Sequence, residues 1–195
     1  RQVSSAASDV YKRQKETIPR LEGGRILKAW KLPPAKEQIL ILGAEIAATM
    51  LCEGKSSLIV KELREEKRII ESIDIDLQIL EEGGLILLDV SCPEENLKIV
   101  ESEVNNILKE LTTDLVTNND LERAKKLVVN NIYFGLELSS QISSTLGNQA
   151  LWGRHKSILQ SIDDISYWTT KRLNQLIFPL FNPENAFTLI AEPEK

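Results

Sequence analysis

The stretch Leu51–Leu80, LCEGKSSLIVKELREEKRIIESIDIDLQIL, decides the reading of the whole chain. Gly54 breaks one buried helix from a second over residues 56–66, and a strand with strict alternation follows. Ile69, Ile73, Ile75, Leu77 and Ile79 share one face of that strand, while Ser72, Asp74, Asp76 and Gln78 share the other, so the strand rests on a core from one side only. Glu71 falls on the apolar parity. A carboxylate there either belongs to the turn before the strand or faces a space that can solvate it.

Working outward, RILKAWKL (25–32) predicts a strand with Ile26, Lys28, Trp30 and Leu32 on one face, stopped by Pro33 and Pro34. Residues 36–51 are apolar nearly all round and predict a helix sandwiched between other elements. Downstream, Glu81–Gly84 make a turn, and residues 85–92 return as a second strand with Ile86, Leu88, Val90 and Cys92 inward, completing a hairpin. Pro93, Glu94 and Glu95 open a helix whose apolar stripe runs through Leu97, Val100, Val104, Ile107, Leu108 and Leu111. Thr117 and Asp120 have the spacing of a capping box for a helix that Gly135 kinks or ends. Helical spacing continues over 138–150, Ser161-Ile162-Asp163-Asp164 caps a further helix closed by Pro179, and residues 186–191 end the chain as a strand. Segregated strands and helices predict an α+β fold, a mostly antiparallel sheet covered on one face by a layer of helices.

With 195 residues, of which 42% are hydrophobic, the chain can bury a real core as one domain or as a piece of a larger protein. A net charge of -5, with lysines and arginines dispersed, argues against nucleic acid as a partner. The longest apolar run, 39–51, is interrupted by Glu45 and is too short to span a bilayer. Cys52 and Cys92 lie beside apolar residues at no metal-ligand spacing and read as buried reduced thiols, compatible with a reducing compartment. The compartment itself is not legible.

Residues 1–14 read as foreign. Asp9-Val10-Tyr11-Lys12-Arg13-Gln14 resembles the in-frame translation of the end of a transposase adapter used in DNA library preparation, so 1–14 are expected to be a disordered scar. Residues 15–24, with Pro19 and the Gly23-Gly24 turn, are expected to be the remnant of a linker, and 25–195 the domain proper. On that reading the natural N-terminus is missing.

The residues alone do not name a reaction. One histidine, His155, sits in a basic turn and reads as a solvated surface residue. A zinc peptidase site needs about three protein ligands, usually two histidines and a carboxylate, which this composition cannot supply. Acid pairs such as Glu94-Glu95 and Asp163-Asp164 are explained as helix caps, and Glu65-Glu66 with Lys61 and Arg64 as a solvated face. The serines at 139, 140, 143 and 144 lack a base and a nucleophile elbow.

Four tracts together resemble the second of the paired α+β domains of the pitrilysin/insulinase family of zinc metallopeptidases, which includes the mitochondrial processing peptidase. They are Leu51-x-x-Gly54-x-x-Ser57 with Leu63-Arg64-Glu65, the hairpin after it, Thr117–Lys125 (TNNDLERAK), and Ile162-Asp163-Asp164-Ile165. The resemblance implies a preceding domain with a His-x-x-Glu-His motif and a distant glutamate, so zinc is implied for that domain and none for this chain. It also implies a pair of substrate-binding residues: Arg64, and seven positions on a tyrosine, where this chain has Glu71. An ionised carboxylate only accepts hydrogen bonds and would repel a developing oxyanion. The function implied is the C-terminal domain of a zinc-dependent endopeptidase or processing peptidase, closing the substrate chamber and inactive alone. The alternative is a non-catalytic family subunit that holds substrate or assembles with an active chain. Expected partners are the N-terminal peptidase domain, a family member in a homo- or heterodimer, and a peptide substrate.

Overall fold

Period-two alternation builds the centre of the molecule. In the computed structural model, which describes residues 12–111, 113, 116–153, 157 and 159–194, strand β2 (Gly24–Leu32) turns Ile26, Lys28, Trp30 and Leu32 inward. Strand β4 (Gly84–Cys92) does the same with Ile86, Leu88, Val90 and Cys92, and the two run antiparallel with Ile26 opposite Val90 and Trp30 opposite Ile86. Strand β3 (Ser72–Gln78) joins β4 as the expected hairpin, Ile73 opposite Val90 and Leu77 opposite Ile86. On the other side lies β5 (Phe187–Pro193), antiparallel to β2.

The outermost strand departs from expectation. Arg13–Ile18 form β1, parallel to β5, so the sheet order is β1-β5-β2-β4-β3. The sequence assigned Arg13 and Gln14 to the scar and 15–18 to a linker because RQKETI has no apolar alternation. All six residues are exposed, and an edge strand held by main-chain bonds needs no such pattern. Residues 1–11 lie outside the described residues.

Helices cover one face of this sheet. α1 (Gln38–Cys52) is buried from Ile41 to Leu51 apart from Glu45, which is half-buried. Gly43 is where the Trp168 indole presses against it: a Cβ at Gly43 would lie 2.3 Å from Trp168 Cζ2. After Gly54, at φ +84°, residues 60–66 wind as a π-helix rather than an α-helix, with Lys67 N–H donating to Glu62 O at 2.9 Å. A 3-10 turn (Glu94–Asn96) leads into α2 (Leu97–Glu110), whose stripe of Leu97, Val100, Val104, Ile107 and Leu108 is buried as expected.

Thr117 and Asp120 form both bonds of the capping box that starts α3 (Asn118–Gly135). α4 (Ser139–Leu151) buries none of its residues. The expected helix from Ser161 to Pro179 is broken into α5 (Gln160–Asp164), a 3-10 turn (Ile165–Tyr167) and α6 (Thr170–Leu176). Ser161 lies inside α5 and caps nothing; Thr169 caps α6 instead, its hydroxyl accepting from Arg172 N–H at 3.2 Å.

The core gathers the inward faces of the strands with α1, α2, α3 and α6, and Trp30, Trp168, Phe178 and Phe181 are its largest fully buried side chains. Lys28 is the one buried cation among the described residues, its Nζ donating to Thr188 Oγ1 at 3.0 Å. Burial holds its pKa below the ordinary lysine value.

Candidate functional site

Arg64 sits in the last turn of the π-helix, half-buried, and its guanidinium engages the Glu65 carboxylate at 3.0–3.1 Å. Arg68, at φ 53°, turns the chain toward β3. Glu71 precedes the strand in a bend, which resolves its parity: it belongs to the turn and is exposed. Its N–H donates to Ser91 O at 2.8 Å, and its carboxylate accepts from Ser91 Oγ at 3.1 Å. The two side chains are therefore engaged separately, each by a local partner. With Glu95, Glu71 also helps to raise the Cys92 thiol, which burial chiefly pushes up to about 11.

Beside these residues β3 is the free edge of the sheet. An edge strand offers one row of unpaired N–H and C=O groups. Along it, the Ile75 N–H is occupied by its own neighbour, Asp74 Oδ1, at 2.9 Å. Between this edge and α1 lies a trough of about 490 Å³, walled by Ile75, Leu77 and Ile79 on one side and by Ile41, Glu45, Thr49 and Cys52 on the other. Glu53, Asp74 and Asp76 rim it, and no cationic side chain among the described residues lines it.

Two side chains from α3 fix the end of this trough. Arg123 reaches the C-terminus of α1, donating to Glu53 O at 3.0 Å and Met50 O at 3.5 Å, where a cation complements the helix dipole. Asn131 Nδ2 donates to the Glu53 carboxylate at 3.2 Å. Glu45 receives no hydrogen bond or ion pair among the described residues, and burial raises its pKa, with Glu53 adding to the rise.

Cys52 lines the trough half-buried, Cys92 is fully buried, and both are free thiols. His155 lies outside the described residues. Among those described, no group of three or more histidine, cysteine, aspartate or glutamate side chains is placed to hold a metal ion, so these residues do not fit zinc. No helix among them is long and apolar enough to cross a membrane. Chemically, the arrangement can accept donors along an acidic groove and pair an extended backbone at a strand edge.

A mostly antiparallel α+β half domain with this helix layer defines a class, and comparison with known proteins identifies it. The family model described as the peptidase M16 inactive domain matches residues 3–128, and the chain belongs to that family. The match takes in the tract that the sequence reading assigned to an adapter.

The uncharacterized zinc protease YmxG of Bacillus subtilis is 25% identical over 137 residues, covering 70% of this chain and 34% of that protein. The uncharacterized zinc protease ML0855 of Mycobacterium leprae is 27% identical over 135 residues, covering 69% of this chain and 30% of that protein. The chain thus spans about a third of the length of the curated relatives it matches. Among solved structures, a protease from Helicobacter pylori superposes with a TM-score of 0.81 at 16% identity, covering 93% of this chain and 44% of that one. The inactive peptidase domain of a candidate zinc protease from Bordetella parapertussis gives 0.78 at 15% identity, covering 91% and 95%. The latter is a domain of this size standing alone.

Proposed function

We propose that this chain is the zinc-ligand-free domain of a zinc-dependent endopeptidase, forming the far wall of its substrate chamber and holding an extended peptide. The companion that completes the enzyme on this reading is an N-terminal peptidase domain, for which relatives named zinc proteases and about three times the matched length leave room. The observation that carries peptide binding is the free β3 edge running beside a trough. A peptide added there gains main-chain hydrogen bonds along the edge, while its alternate side chains point toward α1. Arg64, half-buried and close in sequence to the start of β3, is suited to hold a substrate carbonyl once it leaves Glu65.

The edge can be tested without altering the protein. Short peptides N-methylated at alternate residues lose donors in one phase only, so binding to the 195-residue chain should vanish for one phase and survive in the other. Equal binding of both phases would overturn strand addition. In the intact parent enzyme, Arg64→Ala is expected to lower peptide turnover about ten-fold or more with folding unchanged, as for loss of one charged hydrogen bond. Unchanged turnover would leave Arg64 as a helix-end charge.

Glu71 favours a second reading, a non-catalytic subunit that holds substrate or assembles with an active family member. Where active members place a phenol that can donate, this chain places an acceptor already engaged by Ser91. Restored donation in Glu71→Tyr, read as a rise in peptide turnover of its complex with an active family member, would support that reading; no change would count against it.

A further inference from the structure

Arg68 closes the π-helix in a conformation that suits glycine. Its φ of 53° is left-handed, and the Ile69 N–H donates back to Leu63 O at 2.9 Å, so Arg68 holds the place just past a helix end where glycine is usual. A residue with a Cβ is disfavoured there, and arginine lacks the short polar side chain that lets asparagine or aspartate tolerate it. The turn is held from both sides. Lys67 Nζ donates to Glu62 at 2.7 Å and to Glu103 at 2.8 Å, and Asn96 Nδ2 donates to Ile69 O at 3.2 Å.

The charge of Arg68 has no use within the domain. Of the four cations between 61 and 68, three are engaged: Lys61 with Glu66 at 3.9 Å, Arg64 with Glu65 at 3.0 Å, and Lys67 with its two glutamates. Arg68 is exposed and makes no hydrogen bond or ion pair among the described residues. Glu71, three positions on, is engaged by Ser91 Oγ instead. A cation at this end complements the helix dipole, but Arg64 and Lys67 already supply that charge. A strained backbone kept under a side chain that no contact of the fold requires is a mark of function.

We propose that Arg68 binds a carboxylate of the peptide held on the β3 edge, at the peptide's terminus or on an acidic side chain. The inference rests on the reading of β3 as a peptide-binding edge. Arg68 lies four residues before Ser72, where β3 begins. A peptide added antiparallel runs its C-terminal end toward the start of β3, and there the free guanidinium offers five N–H donors in a fork that matches a carboxylate. The trough beside the strand, rimmed by Glu53, Asp74 and Asp76, repels the same group, so charge sets the direction in which the peptide lies.

The test uses the 195-residue chain and an N-acetylated heptapeptide of alternating threonine and valine in three forms: a free C-terminal carboxylate, a C-terminal amide, and the amide with glutamate placed at each position in turn. A carboxylate form is expected to bind about ten-fold or more tightly than the plain amide, the value of one charged hydrogen-bonded pair. A gain from the free terminus assigns the terminal carboxylate, and a gain from one glutamate assigns an acidic residue. Arg68→Gly should bring that form down to the affinity of the amide with no fall in the thermal midpoint, because glycine accepts the left-handed turn. Arg68→Lys, which keeps the charge without the fork, should retain part of the preference. Equal binding of all three forms to the wild-type chain would overturn the site and leave the strand-edge reading standing; binding of none would overturn both. A preference that survives in Arg68→Gly would remove Arg68 from the role. A fall of several degrees in the midpoint of that variant would show that the arginine serves the fold, and would overturn the inference drawn from its strain.

Discussion

Burial pushes the Glu45 carboxyl above the usual carboxylate range, and the neighbouring Glu53 carboxylate pushes it the same way. The folded chain therefore holds this proton more tightly than the unfolded one. Its contribution to stability is full below the unfolded pKa of about 4.3 and is lost as pH rises through the higher folded value. Glu45→Gln, neutral at every pH, is expected to raise the thermal midpoint near pH 7 and to change it little near pH 3. A gain of equal size at both pH values would show that packing, and not ionisation, is responsible. Gly43 is constrained by contact. Its missing Cβ leaves the space that Trp168 fills, so Gly43→Ala should cost about 1–3 kcal/mol by overpacking, with a change in tryptophan fluorescence. An unchanged thermal midpoint would mean that α1 and the indole shift apart at little cost.

At the scale of elements, β1 and β3 are both edges, but they are managed differently. β1 is exposed throughout and polar, and it carries Arg13 paired with Glu101 of α2 at 3.1 Å and Lys15 paired with Glu192 at 2.7 Å. Both bridges are solvent-exposed on the cation side and are worth little each. Deleting residues 1–14 is therefore expected to shift the thermal midpoint only slightly. Deleting through Ile18 would uncover β5, whose Phe187 is half exposed, and should produce concentration-dependent association measurable by light scattering. A loss of several degrees on the shorter deletion would show that Arg13 and Gln14 anchor the sheet. β3 keeps its edge beside a trough, and among the described residues the Asp74 side chain guards the Ile75 amide on it.

At the scale of the whole molecule, the chain belongs to one domain family, and the segment it shares with its zinc-protease relatives covers about a third of their length. The 195-residue chain by itself is expected to hold no stoichiometric zinc after dialysis and to cleave no peptide, because its described side chains bring no ligand set together. One tightly held zinc per chain, found by metal analysis, would sink the assignment of this domain as the ligand-free half.

The sequence by itself determined the hairpin, the buried faces of β2, β3 and β4, the stripe of α2 and the capping box at Thr117. Each of these is written in a local period or a fixed spacing of a few residues. It also placed Arg64 and Glu71 on either side of one turn. Only the tertiary structure decided the rest. β1 carries no pattern because its partners are backbone groups more than a hundred residues away. The π-winding of 60–66 and the break before Thr169 accompany the burial of Leu63 and Trp168 in a shared core that no local propensity describes. Glu45 was visible as the one charge in an apolar run, yet how far it is buried depends on β3, α3 and α4 meeting around it. Burial is a property of that assembled space, and no stretch of neighbouring residues encodes it.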